Sequence, residues 1–131
     1  MAEHEWHRGR LLDHVQLVVR DLEASRRFYE AALGVIGIPI QEMDGNFFAD
    51  ELVVSTGTKP TGPTHFAFRA KDRAMVDAFY KAAIKAGGKD NGGPGLRRDY
   101  HPDYYAAFVI DPDGNNVEAV YHGPSIVIRT G

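Results

Sequence analysis

The chain has 131 residues, 44% of them hydrophobic, enough for one compact domain that buries about two-thirds of its unfolded surface and needs no cofactor simply to fold. Fifteen basic against eighteen acidic residues leave a net charge of −3 without a basic stripe, which argues against nucleic acid as a partner. Cysteine is absent, so disulfides and thiolate metal sites are excluded and any metal must sit on nitrogen and oxygen ligands.

The first ten residues, MAEHEWHRGR, are polar and charged and lack the apolar run of a signal peptide, which fits a cytoplasmic protein. They read as a solvated tail, His4 and His7 included. A strand is predicted over Leu11 to Val19, where Val15, Leu17 and Val19 alternate with His14, Gln16 and Val18. Asp21 is placed to cap a helix whose Leu22, Ser25, Tyr29 and Leu33 recur at helical spacing, with Gly34 as its stop. The longest uncharged stretch, Ala31 to Gln41, is about half what a bilayer demands, so no membrane span is expected. Three short strands fit between Val35 and Thr58, with Asp44-Gly45 as a hairpin turn.

GTKPTGP, from Gly57 to Pro63, is rich in turn residues and is the natural joint of the chain. Beyond it come a strand from Thr64 to Ala70, Asp72 as a cap, and a helix carrying Met75, Val76, Phe79 and Ala83 that Gly87-Gly88 stops. Gly87 to Gly95 lacks the GK[ST] ending of a phosphate loop and reads as a mobile loop. Strands over Tyr105 to Ile110 and Asn116 to Tyr121 flank DPDGN, a hairpin turn with no assigned chemistry. His122 falls at the end of the last strand, and residues 123–131 form an uninformative tail.

The order repeats because the sequence repeats. HVQLVVRDLEASRRFYEAA, from His14, recurs 51 residues later as HFAFRAKDRAMVDAFYKAA, from His65, with six identities in nineteen positions where about one is expected by chance. The reading is a single domain over 11–122 made of two β-α-β-β-β modules, about 11–58 and 64–122. Two equivalent histidines then occupy equivalent strands.

Strand alternation places His14, Glu51, His65 and Glu118 each opposite the apolar face of its strand, where they can line one cavity. Two imidazoles and a glutamate set between Val117 and Ala119 are costly to bury without a shared counter-charge. One bound cation satisfies all three, and Fe, Ni, Mn, Co or Zn suits imidazole nitrogen and carboxylate oxygen. Glu51 is a further candidate, with the wet start of a strand as its alternative reading. His101, Tyr104 and Tyr105, in RRDYHPDYY, stand as either pocket residues or an ordinary loop. Phe47 and Phe48 either wall the pocket or belong to the core.

Three segments carry a resemblance: DHVQLVVRDLEASRRFYEAALG at Asp13 to Gly34, THFAFRA at Thr64 to Ala70, and AAFVIDPDGNNVEAVYH at Ala106 to His122. The chain resembles the vicinal oxygen chelate superfamily, which includes glyoxalase I, extradiol dioxygenases and bleomycin or fosfomycin resistance proteins. The resemblance implies an α+β fold in which two βαβββ modules form a curved, cup-shaped mixed sheet with helices on its outer face. It implies one divalent metal ion on His14, His65 and Glu118, with Glu51 as the glyoxalase-type fourth ligand. It also implies that His101, Tyr104 and Tyr105 contact substrate as in extradiol-type members; a homodimer is expected, with the cup closed either within one chain or by exchange of modules across the two copies.

The implied activity is a metal-dependent lyase or isomerase acting on a small molecule that chelates through adjacent oxygens, with Glu51 and Glu118 as the catalytic carboxylates. The alternatives are an Fe(II) extradiol dioxygenase and a non-catalytic binding or resistance protein. The two modules differ in length: Glu51 lies 37 residues after His14, but Glu118 lies 53 after His65. The extra residues carry the glycine-rich loop and the His101 to Tyr105 segment, where substrate contacts are expected.

Overall fold

The computed structural model describes residues 11–124; the tail histidines His4 and His7 and the chain beyond 124 lie outside them. The first module runs β1 (Val15–Val19), α1 (Leu22–Ile36), β2 (Gln41–Met43), β3 (Asn46–Ala49) and β4 (Leu52–Thr56). The second runs β5 (His65–Arg69), α2 (Arg73–Lys85), β6 (Lys89–Asp90), β7 (Gly95–Leu96), β8 (Tyr105–Ile110) and β9 (Asn116–Tyr121). This is the expected α+β arrangement of two modules, β-α-β-β-β in the first, while the second carries one strand more than expected because the glycine-rich segment forms two short strands, β6 and β7.

Both helices start where an Asp side chain accepts a backbone N–H: Asp21 from Ala24 at 3.1 Å and Asp72 from Met75 at 2.8 Å. The first helix does not stop at Gly34. It continues to Ile36 and ends at Gly37, whose φ of 94° supplies the left-handed turn, while Gly34 stays inside the helix.

The strands hydrogen-bond as two mixed sheets, ordered β1-β4-β3-β2 and β5-β9-β8-β6, with β7 also on β8. β1 lies parallel to β4, and β5 lies parallel to β9 in the equivalent register. The glycine-rich segment read as a mobile loop is instead partly laid onto the second sheet, because Lys89 and Asp90 pair with Ile110 and Val109 and Gly95 and Leu96 pair with Ala106 and Tyr105. Its composition signalled turns but not the two short pairings that lie between them.

One core joins the modules. Leu17, Val19, Val54, Val109, Val117 and Ala119 meet Phe28, Tyr29, Val76 and Phe79 from the helices, which pack against each other. The DPDGN turn completes the join: buried Asp111 accepts Tyr29 Oη–H of α1 at 2.5 Å, together with backbone N–H groups of Asp113 and Asn115. Burial and this carboxylate raise the Tyr29 phenol well above its ordinary pKa, so it remains a donor. Among the described residues no helix is long and apolar enough to cross a membrane.

Candidate metal centre

The faces of the strands follow the expected alternation. In β4, Leu52 and Val54 are buried in the core while Val53 and Ser55 turn away; in β5, Phe66 and Phe68 pack on the core and His65, Ala67 and Arg69 are exposed. β9 differs because its second face is covered too. Ala106, Phe108 and Val120 form a small cluster there with Tyr104, and Glu118 beneath it is 1% exposed.

His65 and Glu118 are brought together. His65 Nε2 lies 3.0 Å from Glu118 Oε1, with the imidazole half exposed. The other ring nitrogen, Nδ1, lies 3.0 Å from the carbonyl of Asn116, which only accepts, so Nδ1 carries the proton. In the neutral imidazole the Nε2 lone pair therefore faces a carboxylate oxygen. Two acceptors at that separation need either a proton or a cation between them.

The second carboxylate oxygen of Glu118 accepts from the Tyr104 hydroxyl. Burial first, then this hydrogen bond and the Glu118 charge, raise the Tyr104 phenol far above its usual range, so it is a donor throughout the physiological pH range.

His14 and Glu51 lie on the other sheet. Val15 N–H donates to the Glu51 carbonyl at 2.8 Å and Val15 pairs with Leu52, which sets His14 beside Glu51 at the same end of β1 and β4. His14 Nδ1 is 2.8 Å from Asp13 Oδ1, again committing Nδ1, with the side chain 53% exposed. Phe48 pairs with Val53 and shares this face, whereas Phe47 is buried in the core. Glu51 also borders an apolar cleft of about 600 Å³ between β1 and β5, walled by Val15, Ile36, Leu52, Phe66 and Phe68.

The four expected ligands thus fall two to a sheet: the His65 and Glu118 side chains meet, whereas His14 and Glu51 are neighbours by backbone register. Among the described residues no three His, Asp or Glu side chains converge on one point. As a donor set, His65 and Glu118 fit a divalent cation: an imidazole whose Nδ1–H is fixed by a carbonyl and a carboxylate steadied by a phenol are the usual surroundings of metal ligands. Their 3.0 Å separation is that of neighbouring ligands around one ion with bonds of about 2.1 Å.

Of the expected pocket residues, His101 and Tyr104 join this face and Tyr105 does not. Tyr105 is one residue on from Tyr104 in a strand, so it points the opposite way, donating to Asp77 of α2 at 2.7 Å under the Arg73 guanidinium. His122, read as a strand end, lies instead against His101 and Tyr104, with His101 Nε2 3.0 Å from its Nδ1. The signal was available, since positions 118, 120 and 122 alternate onto one face.

The sequence model of the Glyoxalase/Bleomycin resistance protein/Dioxygenase superfamily matches residues 11–119. The uncharacterized protein YqjT of Bacillus subtilis is 30% identical over 132 residues, covering 83% of this chain and 97% of its own. A crystal structure of a glyoxalase/bleomycin resistance protein from Albidiferax ferrireducens superposes with a TM-score of 0.76 at 31% identity, over 85% of this chain and 98% of that one. A putative glyoxalase from Bacillus halodurans superposes at 0.64 with 26% identity, over 86% and 96% of the two chains. With two modules that each run from a strand through a helix into further strands, and a match spanning both, the chain belongs to the Glyoxalase/Bleomycin resistance protein/Dioxygenase superfamily.

Proposed function

We propose that this protein is a divalent-metal-dependent lyase or isomerase of the glyoxalase type, acting on a small molecule that presents two adjacent oxygens to the metal. The observation that carries the reading is the His65 Nε2 lone pair set 3.0 Å from Glu118 Oε1, with Nδ1 already committed to Asn116. His65 and Glu118 hold the ion from one copy, and His14 and Glu51 of a second copy complete the set in a homodimer. β1 and β5 support this: each is the outer strand of its sheet among the described residues, and each carries its histidine at or just before its first residue. Outer strands favour association, although on β1 the Val18 N–H and carbonyl are already bonded to Thr61.

When bound, the ion supplies Lewis acidity to the adjacent oxygens of the substrate. Glu51, beside the apolar cleft, takes a proton from the carbon next to a carbonyl and returns it at the neighbouring carbon. Glu118 is kept in place by the Tyr104 hydroxyl, and His65 by the Asn116 carbonyl, so neither reorganises as charge develops. Tyr104 also gives specific support to a second reading, an Fe(II) extradiol dioxygenase, because it sets a phenol donor directly on the ligand carboxylate.

Protein purified without oxygen, assayed for bound metal and then offered α-keto hemithioacetals and a catechol panel, separates the readings. Turnover of a hemithioacetal with Ni or Zn bound and no oxygen uptake is the expected result. Oxygen uptake with a catechol transfers the proposal to the dioxygenase. Metal-free protein that retains a ligand after His65→Ala transfers it to a binding protein.

A further inference from the structure

Two imidazoles face each other at the far end of the Glu118 surface. His101 and His122 are 5.3 Å apart between ring centroids and within 18° of parallel, and His101 Nε2 is 3.0 Å from His122 Nδ1. The Asp103 backbone N–H points at His101 Nδ1 at 3.2 Å, so that nitrogen accepts and the single proton of the neutral ring sits on Nε2. It donates to His122 Nδ1. The His122 proton must then sit on Nε2, and the pair presents an N–H donor in one fixed direction.

Tyr104 connects this pair to the metal centre. Its hydroxyl is on Glu118, while its ring centroid is 5.4 Å from His101 and 5.2 Å from His122, nearly perpendicular to both. The pair is therefore about one phenol ring away from the ligand carboxylate. Arg69 adds positive charge: it lies on the same face of β5 as His65, opposite Val120, and its charge acts on His122 against the larger, opposite effect of the Glu118 carboxylate, which a bound cation would offset. A fixed N–H donor beside a guanidinium complements an anionic oxygen and repels a cation.

We propose that His101, His122 and Arg69 form a subsite for a second, anionic group of the substrate, so that the molecule chelates at one end and presents a carboxylate-type oxygen at the other. The inference rests on the reading of His65 and Glu118 as the chelating end. It adds to that reading a substrate class: small oxo or hydroxy compounds with a remote acid group.

Two measurements test it. In metal-free protein, the imidazole nitrogen resonances of His101 and His122 are expected to shift as glutarate is added, and not to shift in Arg69→Gln. In metal-loaded protein, 2-oxoglutarate and 2-oxopentanoate share a chain length and a chelating end and differ by the terminal carboxylate. The wild type is expected to bind the first about tenfold more tightly, as a charge-assisted hydrogen bond allows. His122→Phe removes that preference without changing metal affinity, and His122→Gln, which keeps a side-chain N–H, retains part of it. Equal binding of the two acids, or a preference that survives His122→Phe, overturns the subsite. A protein that takes up no metal overturns the chelating centre instead, and the glutarate titration still decides the subsite.

Discussion

His65 Nε2 stands 3.0 Å from Oε1 of Glu118, a half-exposed imidazole against a carboxylate that is 2% exposed. The pairing is more specific than a histidine near an acid, because the Asn116 carbonyl fixes which nitrogen faces the carboxylate. Glu118→Gln is expected to lower affinity for Ni(II) or Zn(II) by more than about a hundredfold, since it removes an anionic ligand instead of a supporting residue. Calorimetric titration of metal-stripped protein checks this.

Tyr104 supports the Glu118 carboxylate and is not itself a proposed ligand. Tyr104→Phe is expected to keep the metal but to lower affinity or turnover by about ten- to a hundredfold, the usual cost of losing a partner that orients a ligand. Comparing metal content and kcat in one preparation separates this from the loss of a ligand.

The proposed dimer makes its own prediction. If each centre takes His14 from one copy and His65 from the other, His14→Ala and His65→Ala are both inactive alone. Mixing them with subunit exchange restores about a quarter of wild-type activity, because half the dimers are mixed and each carries one intact centre. A centre within one chain restores nothing.

Tyr29→Phe tests the join between the modules. The Asp111 carboxylate loses its phenol donor and the protein is expected to lose about 1–3 kcal/mol of stability, read by urea unfolding. Metal affinity is expected to be unchanged, since the proposed metal centre lies on the other face.

His122 carries a pH dependence. Burial, then the His101 charge, lower its pKa below the usual 6.5; Glu118 opposes them, and Arg69 adds a smaller lowering effect. The unfolded chain therefore binds more protons between the folded value and 6.5, so this contribution is full above 6.5 and is lost as the pH falls through that window. Thermal unfolding of the metal-free protein between pH 7.5 and 5.5 is expected to show a shallower decline in His122→Gln than in the wild type.

Much of the fold was legible because it is written in periodicity and duplication. Asp21 and Asp72 cap their helices as their positions implied, and β8 and β9 have the bounds their alternation implied. Gly34 misled because a single glycine is tolerated in a helix whose end is set three residues later by the positive φ of Gly37. The glycine-rich segment misled because two-residue pairings leave no period to detect.

The candidate site was legible residue by residue but not as an assembly. Alternation gave the correct face for His65 and Glu118, and the same rule, applied one residue further, would have removed Tyr105 and added His122. What alternation does not encode is the separation of His14 and Glu51 from His65 and Glu118 onto two sheets. Nor does it encode that the DPDGN turn buries a carboxylate under Tyr29, a contact between residues 82 positions apart.

The most direct test is a titration of metal-stripped protein with Ni(II), repeated on His65→Ala and Glu118→Gln. One ion per chain in the wild type, lost in both variants while their folds persist by circular dichroism, is the result expected if a cation belongs between His65 Nε2 and Glu118. No uptake by the wild type, or uptake that survives both substitutions, contradicts it and leaves a protonated His65 in ion pair with Glu118 as the meaning of the 3.0 Å contact.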